Sequence, residues 1–230
     1  MSAPIVAIGG GGFLMEDTRG LQERYILSLR RQRAGAPRVL YLGTASGDSE
    51  RAQLRFMRLF TSLGCRADTL AFFPYEMKRD YTQAVREADL VYVGGGNTVG
   101  MVAVWREFGF DAALRQAWED GTVLAGISAG ANCWFADYVT DSIPGGGIRA
   151  GLGWIDATFC PHLDGEAWRQ PLLSRAARRP AYGAPDGVML RFDGGRFIEA
   201  LTDRTGLAAV EVTAAGALLA MPTRLLADAG

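Results

Sequence analysis

The chain has 230 residues, enough for one large domain or two small ones with a substantial buried core. Its 24 basic and 25 acidic side chains give a formal net charge of −1, so no overall positive field would draw it to nucleic acid or to an anionic membrane. A composition of 49 % hydrophobic and 21 % charged residues excludes a disordered chain and a coiled coil.

The cysteines and the first residues of the chain indicate a reducing compartment. Cys65, Cys133 and Cys160 are far apart and form no CxxC pair, unlike a disulfide framework or a structural zinc site. Residues 1–12 lack the basic start of a secretory signal, and no apolar run approaches the roughly 18 residues of a membrane span. We therefore expect a cytoplasmic protein that contacts neither membrane nor nucleic acid and needs no metal or cofactor.

Short apolar runs alternate with segments of helical periodicity along the first part of the chain. The predicted strands are residues 4–8, 38–42, 90–93 and 122–127, and glycine or a short polar turn follows each of them. Between the second and third strands, apolar residues recur at the spacing of an amphipathic helix: Ala52, Phe56, Leu59, Phe60 and Leu63. This alternation predicts an α/β fold whose parallel sheet is covered on both faces and binds ligands beyond the carboxyl ends of its strands.

After about residue 185 the pattern changes to short strands joined by tight turns. The predicted strands there are residues 187–192, 195–201, 207–212 and 218–221. We expect them to form an antiparallel extension of the same domain. Because no linker, internal repeat or low-complexity tract interrupts the chain, the sequence predicts a single domain over residues 1–230.

The most informative motif is Gly126-Ile127-Ser128-Ala129-Gly130, which follows a predicted buried strand and precedes a segment that can begin a helix. Small residues two positions before and after the serine let the chain turn sharply and lift the hydroxyl above the sheet, as at the nucleophile of many hydrolases. The same pentapeptide also suits a tight turn in which Ser128 caps the following helix. The motif alone leaves both interpretations open.

A serine nucleophile needs a base, and His162 is the one histidine in the sequence. It follows the apolar run of residues 155–159, which we predict to be a strand, so it also falls at a carboxyl end. If the strands that precede Ser128 and His162 are neighbours, the two side chains meet. This placement favours a serine–histidine pair over a structural or solvent-exposed histidine.

The loop Gly94-Gly95-Gly96-Asn97-Thr98 follows another predicted strand and is a third candidate for function. Its backbone N–H groups, together with that of Ala129, could stabilise the oxyanion of an acyl transfer. Phosphate binding is the alternative, but neither this loop nor Gly9–Gly12 completes a GxGxxG, and the chain has no P-loop motif. Either glycine cluster also suits a simple close turn, Gly9–Gly12 above all.

Three acids are candidates for the group that orients His162. Asp141 lies between the serine and the histidine in the sequence, whereas Asp164 and Glu166 lie just after the histidine. Asp164 also suits the N-cap of a helix that begins at Gly165.

Together these segments resemble peptidase family S51, the family of peptidase E or aspartyl dipeptidase. The matching pieces span about residues 5–170 in order and read IVAIGGGGF, DLVYVGGGNT, GISAGANCWF, VTDSIPG and FCPHLDGE, with Arg169 just after. The resemblance implies a fold similar to the class I glutamine amidotransferases. That fold is a flavodoxin-like three-layer α/β sandwich with a mostly parallel central sheet, to which the C-terminal strands would add the antiparallel extension.

The resemblance implies a catalytic role for three residues of this sequence. Ser128 would be the nucleophile, His162 the base and Asp141 the acid that orients the histidine.

The resemblance also implies the substrate-binding groups. The N–H groups of Gly96 and Ala129 would form the oxyanion hole, and Asn97 would lie beside the substrate. Arg169 is the candidate for reading an acidic side chain.

These observations lead us to expect a cofactor-free serine exopeptidase that acts on short peptides with an acidic first residue. The nearest enzymatic alternative is a cyanophycinase-like hydrolase of a branched aspartate polymer, with the same machinery in a wider cleft. A different alternative is a non-catalytic module that holds a small anion at the glycine-rich loops. The expected partner is a small peptide, and the oligomeric state stays open, a homodimer included.

Overall fold

Two β-sheets and the helices around them organise the chain in the computed structural model, which describes residues 2–73, 80–176 and 179–227. The helices are α1 Leu21–Ser28, α2 Glu50–Ser62, α3 Tyr81–Glu87, α4 Thr98–Glu107, α5 Phe110–Asp120, α6 Ala129–Asn132 and α7 Arg169–Ser174. The strands are β1 Pro4–Ile8, β2 Arg38–Leu42, β3 Arg66–Leu70, β4 Leu90–Val93, β5 Val123–Ile127, β6 Phe135–Thr140, β7 Gly147–Ala150, β8 Ile155–Cys160, β9 Ala181–Gly183, β10 Val188–Asp193, β11 Arg196–Thr202, β12 Val210–Val212, β13 Leu218–Ala220 and β14 Thr223–Leu225. In the part of the chain that is described, no helix has the length and apolar character needed to cross a bilayer.

The larger sheet has eight strands in the order β14-β11-β10-β1-β5-β4-β2-β3. From β1 to β3 every neighbouring pair is parallel, while β10 runs antiparallel to both β1 and β11. Strands β4 and β5 are buried along their whole length, as expected for a parallel sheet covered on both faces. The predicted α/β class, the mostly parallel central sheet and the antiparallel C-terminal strands are confirmed.

A second sheet, which the sequence did not predict, has six strands in the order β13-β12-β9-β8-β6-β7. The predicted C-terminal strands divide between the two sheets, because β10 and β11 join the larger sheet while β12 and β13 join the smaller one. The strand before Ser128 is β5 of the larger sheet, and the strand before His162 is β8 of the smaller one. The expectation that these two strands are neighbours is therefore wrong, although the two side chains do meet.

Aromatic packing holds the smaller sheet against the β10–β11 side of the larger one. Phe135 of β6 meets Phe192 of β10 with ring centroids 5.3 Å apart, and Tyr182 of β9 stacks on Phe197 of β11 at 5.4 Å. Such pairs add to the burial of their rings and fix the relative placement of the two surfaces. This packing brings the loops that follow β8 and β9 to the carboxyl ends of β1 and β5.

Helix α2 confirms the amphipathic segment predicted between β2 and β4. Phe56 and Phe60 are fully buried and pack around Phe13 of the loop that follows β1. Arg51 and Arg58 lie on the opposite, exposed side of the helix. The N-terminus of α2 thereby lies near the loop that follows β1, at the carboxyl-end side of the larger sheet.

Candidate active site

Ser128 lies at a sharp turn between β5 and α6. Its backbone has φ 55° and ψ −114°, a conformation that residues other than glycine rarely adopt and that costs on the order of 1–3 kcal/mol. The chain closes on itself here, since a Cβ on Gly126 would lie 2.1 Å from the carbonyl oxygen of Gly130. The Ser128 side chain makes no capping hydrogen bond to α6, so the helix-cap interpretation of the motif does not hold.

The hydroxyl of Ser128 is instead one end of a chain of two hydrogen bonds. His162 Nε2 lies 2.8 Å from Ser128 Oγ, and His162 Nδ1 lies 2.6 Å from Asp186 Oδ1. An ionised carboxylate only accepts, so Nδ1–H donates to Asp186 and the lone pair of Nε2 accepts from the Ser128 hydroxyl. This geometry lets the imidazole take the serine proton while the carboxylate stabilises the imidazolium that forms.

Asp186 stays ionised in this arrangement. The hydrogen bond from His162 lowers the pKa of Asp186, and partial burial, which opposes the charged form, offsets the effect only in part. The positive charges of Arg204 and Arg169 act in the same direction as His162. The carboxylate is therefore available at neutral pH as a fixed negative charge beside the imidazole.

Asp141, the acid predicted to orient His162, lies elsewhere. Its side chain is 63 % exposed and its Oδ2 lies 3.4 Å from the Arg169 guanidinium, which Glu166 also contacts at 2.6 Å. Asp164 is exposed and caps no helix, because α7 begins only at Arg169. The assignment is corrected: Asp186 takes the place predicted for Asp141, and neither Asp164 nor Glu166 reaches the histidine.

The sequence did not point to Asp186, because the strand before it, β9, is only three residues long and shows no periodicity. It lies in the segment Ala184-Pro185-Asp186-Gly187 that joins β9 to β10. A usable signal was present, since Asp186, like Ser128 and His162, comes shortly after the carboxyl end of a strand that ends in a turn.

Gly10 passes between the two loops that carry His162 and Asp186. A Cβ at Gly10 would lie 2.0 Å from Asp186 Oδ1 and 2.3 Å from His162 Cε1. Backbone hydrogen bonds fix this passage, since His162 N donates to the Gly9 carbonyl at 3.2 Å and Gly187 N to that of Gly10 at 3.0 Å. The first glycine cluster, interpreted from the sequence as a simple turn, therefore sets the position of the histidine–aspartate pair.

We expect Gly10→Ala to lower kcat by about 100-fold or more, because displacing a catalytic group by roughly 1 Å costs about that factor. The matched control is Gly165→Ala, where a Cβ would lie at an ordinary 3.6 Å from the His162 carbonyl oxygen. Steady-state kinetics of both variants, compared at equal folded fraction, checks the prediction. A Gly10→Ala protein with wild-type kcat would contradict it.

The loop after β4 lies against Ser128. A Cβ on Gly95 would lie 3.4 Å from Ser128 Cβ, and one on Gly96, where φ is 137°, would collide with the Ala45 carbonyl oxygen at 2.1 Å. The N–H groups of Gly96 and Ala129 find no acceptor among the described residues. Both belong to segments that adjoin the Ser128 hydroxyl, and both are free to donate to an oxygen atom bound there.

The side chain of Asn97 bonds to neighbouring segments of the protein. Its Oδ1 accepts from Gly100 N at 2.8 Å as the N-cap of α4, and its Nδ2 donates to the Ser142 carbonyl at 3.1 Å. Both polar ends of the Asn97 side chain are thus bonded to the protein, and its place beside the substrate stays a prediction. The asparagine of the glycine-rich loop starts α4 and connects it to residue 142.

Arg169 is not placed beside this site. Its side chain is 3 % exposed and forms ion pairs with Glu166 and Asp141, with its guanidinium carbon 4.4 Å from the Trp168 ring centroid. The guanidinium is buried, contacts two carboxylates and does not line the cavity into which Ser128 opens, so it is not accessible to a molecule bound there. The prediction that Arg169 reads an acidic side chain is therefore corrected.

Ser128, His162 and Asp186 open into a cavity of about 460 Å³. Its walls come from the loop after β1, the start of α2 and the glycine-rich loop after β4, with the lining residues Leu14, Met15, Tyr41, Ser46, Ser49, Arg51, Ala52, Gly95 and Gly96 among them. This volume is in the range of sites that hold small molecules. Within the three described ranges no cluster of histidine, cysteine and acidic side chains has the composition of a metal site.

Comparison with known proteins identifies the family of this chain. The sequence profile of peptidase family S51 matches residues 5–200, which include all three members of the hydrogen-bonded chain. The chain belongs to peptidase family S51. The uncharacterized peptidase YgaJ of Bacillus subtilis (strain 168) is 41 % identical to this S51 peptidase over 212 residues, covering 90 % of this chain and 91 % of YgaJ.

Solved structures share the fold of this S51 peptidase. A peptidase from an acI-B1 Actinobacterium matches with a TM-score of 0.69 and 16 % identity, over 97 % of this chain and 95 % of that one. A protein of Listeria monocytogenes EGD-e, described as a candidate peptidase E, matches with a TM-score of 0.64 and 16 % identity, over 86 % and 98 % of the two chains.

Proposed function

We propose that this S51 peptidase is a serine exopeptidase that hydrolyses short peptides after an acidic first residue, through an acyl-enzyme on Ser128. The observation that carries the proposal is the chain of hydrogen bonds from Ser128 Oγ through His162 to Asp186, opening into a cavity of about 460 Å³. A module that only bound an anion would need neither the hydroxyl–imidazole contact nor the buttressing carboxylate.

Acylation begins when Ser128 Oγ attacks the carbonyl carbon of the scissile bond while His162 Nε2 takes the hydroxyl proton. Asp186 keeps the imidazole in the tautomer whose lone pair faces the hydroxyl, and it stabilises the imidazolium. The tetrahedral intermediate then collapses as His162 returns the proton to the leaving amine. Water repeats the sequence on the ester, with His162 again as the base, and regenerates Ser128.

The negative charge of each tetrahedral intermediate is placed against the N–H groups of Gly96 and Ala129. Both are backbone donors without a protein acceptor in the described chain, and both are held by tight packing of their segments. Donors fixed before the reaction cost no reorganisation when charge develops, and one such donor typically contributes about 10²–10³ in rate. All of these steps use groups of the chain and water.

The substrate assignment combines the resemblance to aspartyl dipeptidases with the size of the cavity. A volume of about 460 Å³ is suited to a peptide of a few residues. This favours a dipeptidase over the cyanophycinase-like alternative.

A panel of dipeptides X-Leu with varied X, digested and read by mass spectrometry, tests the proposal. We expect peptides with Asp or Glu first to be consumed at least about 10-fold faster than those with Asn or Gln, because a charged hydrogen bond contributes that factor or more. The Ser128→Ala protein, digested in parallel, should consume none. Equal rates for acidic and neutral first residues would overturn the specificity, and cleavage of a branched aspartate polymer alone would favour the cyanophycinase-like hypothesis.

A further inference from the structure

Among the described residues that line the cavity, Arg51 is the one charged side chain that makes no ion pair or hydrogen bond with the protein. The other charged group on the walls, Asp186, is bonded to His162. In the described chain Arg51 makes neither an ion pair nor a hydrogen bond, and its side chain is exposed. An uncommitted guanidinium on the wall of a catalytic cavity has its charge available for a bound molecule.

The acids nearest to Arg51 in the sequence do not neutralise it. Asp48 turns its carboxylate to the backbone N–H groups of Phe72 and Phe73, with Oδ2 at 3.0 Å from the latter. Glu50 is exposed and does not line the cavity. The positive charge at this wall is therefore not cancelled by either neighbour.

Serine hydroxyls make the same wall polar. Ser49 precedes α2 without using its side chain as a cap, and Ser46 donates to the Gly43 carbonyl at 2.9 Å. Both line the cavity together with Arg51, whereas Leu14 and Met15 make the wall formed by the loop after β1 apolar. The cavity thus has one polar, positively charged wall and one apolar wall, an asymmetry that orients a small charged ligand.

We propose that Arg51 binds a carboxylate of the peptide substrate and determines the preference of this enzyme for it. A guanidinium offers a planar pair of N–H donors that matches a carboxylate, an arrangement stronger than a neutral hydrogen bond. Arg51 takes the part that the sequence assigned to Arg169, which is buried between two acids. The carboxylate belongs either to the side chain of an acidic first residue or to the C-terminus of a dipeptide, which present the same chemistry. This inference rests on the proposed function.

Four peptides distinguish the two carboxylates: Asp-Leu, Asn-Leu, Asp-Leu amide and Asn-Leu amide. For the pair of peptides that differ in the carboxylate bound by Arg51, Arg51→Gln should reduce the ratio of the kcat/KM of the charged peptide to that of the neutral peptide. The expected reduction is about 10–100-fold, the factor for a hydrogen bond between charged groups. A fall in the Asp-to-Asn ratio identifies the side chain as the ligand of Arg51. A fall in the acid-to-amide ratio identifies the C-terminus. Arg51→Lys should retain part of either preference, because it keeps the charge and loses the planar pair.

Arg58→Gln is the matched control, since Arg58 is exposed on the same helix and does not line the cavity. The proposal is overturned if Arg51→Gln changes neither ratio, or if Arg58→Gln changes them equally. Circular dichroism establishes that each variant is folded.

Calorimetric binding of the same peptides to Ser128→Ala, with and without Arg51→Gln, needs no turnover. Selective loss of carboxylate binding there supports the role of Arg51 even if the proposed reaction fails. Equal binding by both proteins contradicts that role even if Ser128 is the nucleophile.

Discussion

Replacing Ser128 or His162 with alanine is expected to lower kcat for dipeptide hydrolysis by about 10⁴–10⁶-fold, the usual loss when one member of such a unit is removed. No second histidine can replace His162 as the base, because the sequence has only one. Ser128 Oγ is the hydroxyl that is hydrogen-bonded to it, so no other serine can replace Ser128 as the nucleophile. Steady-state kinetics, with folding followed by circular dichroism and thermal unfolding, measures the effect.

The two losses are not expected to add. Once the imidazole is gone the Ser128 hydroxyl has no acceptor for its proton, so the double variant should resemble either single variant. Retention of more than about a tenth of wild-type kcat by His162→Ala would contradict the mechanism.

Asp186→Asn is expected to lower kcat by roughly 10⁴, as in serine triads generally. An amide in place of the carboxylate presents an N–H as readily as an oxygen to Nδ1, which favours the imidazole tautomer that cannot accept the serine proton. In the variant the 2.6 Å hydrogen bond between His162 and residue 186 no longer involves a carboxylate charge. The backbone around residue 186 should be unchanged. Measurement of kcat at equal folded fraction gives the size of the loss.

Asp141→Asn and Glu166→Gln are the matched controls for Asp186→Asn. Both carboxylates contact Arg169 and neither contacts His162, so both variants should keep turnover within a few-fold of wild type. The ranking of the three kcat values decides the assignment. If Asp141→Asn or Glu166→Gln had the lowest kcat and Asp186→Asn were close to wild type, Asp186 would not be the acid that orients the imidazole. The roles of Ser128 and His162 would be unaffected by that result.

The central sheet and the Ser128 turn were predictable because both follow from local rules. Apolar runs that end in glycine have few ways to fold other than as buried parallel strands, and β1, β2, β4 and β5 lie within one residue of the predicted bounds. The turn at Ser128 needs small residues at Gly126 and Gly130 for steric reasons that the pentapeptide itself displays. Local pattern and global position agree in this half of the molecule.

The assembly of a separate smaller sheet and the contact of Asp186 with His162 were missed because they depend on pairing between distant segments. Strands β7 and β9 are four and three residues long, too short for a period-2 pattern to be read. Asp186 reaches His162 only because β9 pairs in parallel with β8, which places the two following turns side by side. Sequence proximity instead favoured Asp164 and Glu166, while the position of Asp141 between Ser128 and His162 and the family resemblance favoured Asp141. None of these three acids lies next to the imidazole.

The substrate-binding residues show a different limit of prediction. The side chains of Asn97 and Arg169 have chemistry suited to a substrate, but the fold uses both internally, one as a helix cap and the other between two acids. Arg51 gives no such signal in the sequence, because it lies outside the apolar positions of the predicted amphipathic helix and is one of several arginines there. Only the placement of the N-terminus of α2 beside the cavity distinguishes it.

Reaction with a fluorophosphonate, followed by peptide mapping, tests most directly the claim that Ser128 is an activated nucleophile. We expect a single covalent adduct on Ser128 of the wild-type protein and its loss in both His162→Ala and Ser128→Ala. Absence of any adduct on the folded wild-type protein, an adduct on another residue, or labelling of Ser128 at an undiminished rate in His162→Ala would contradict the claim.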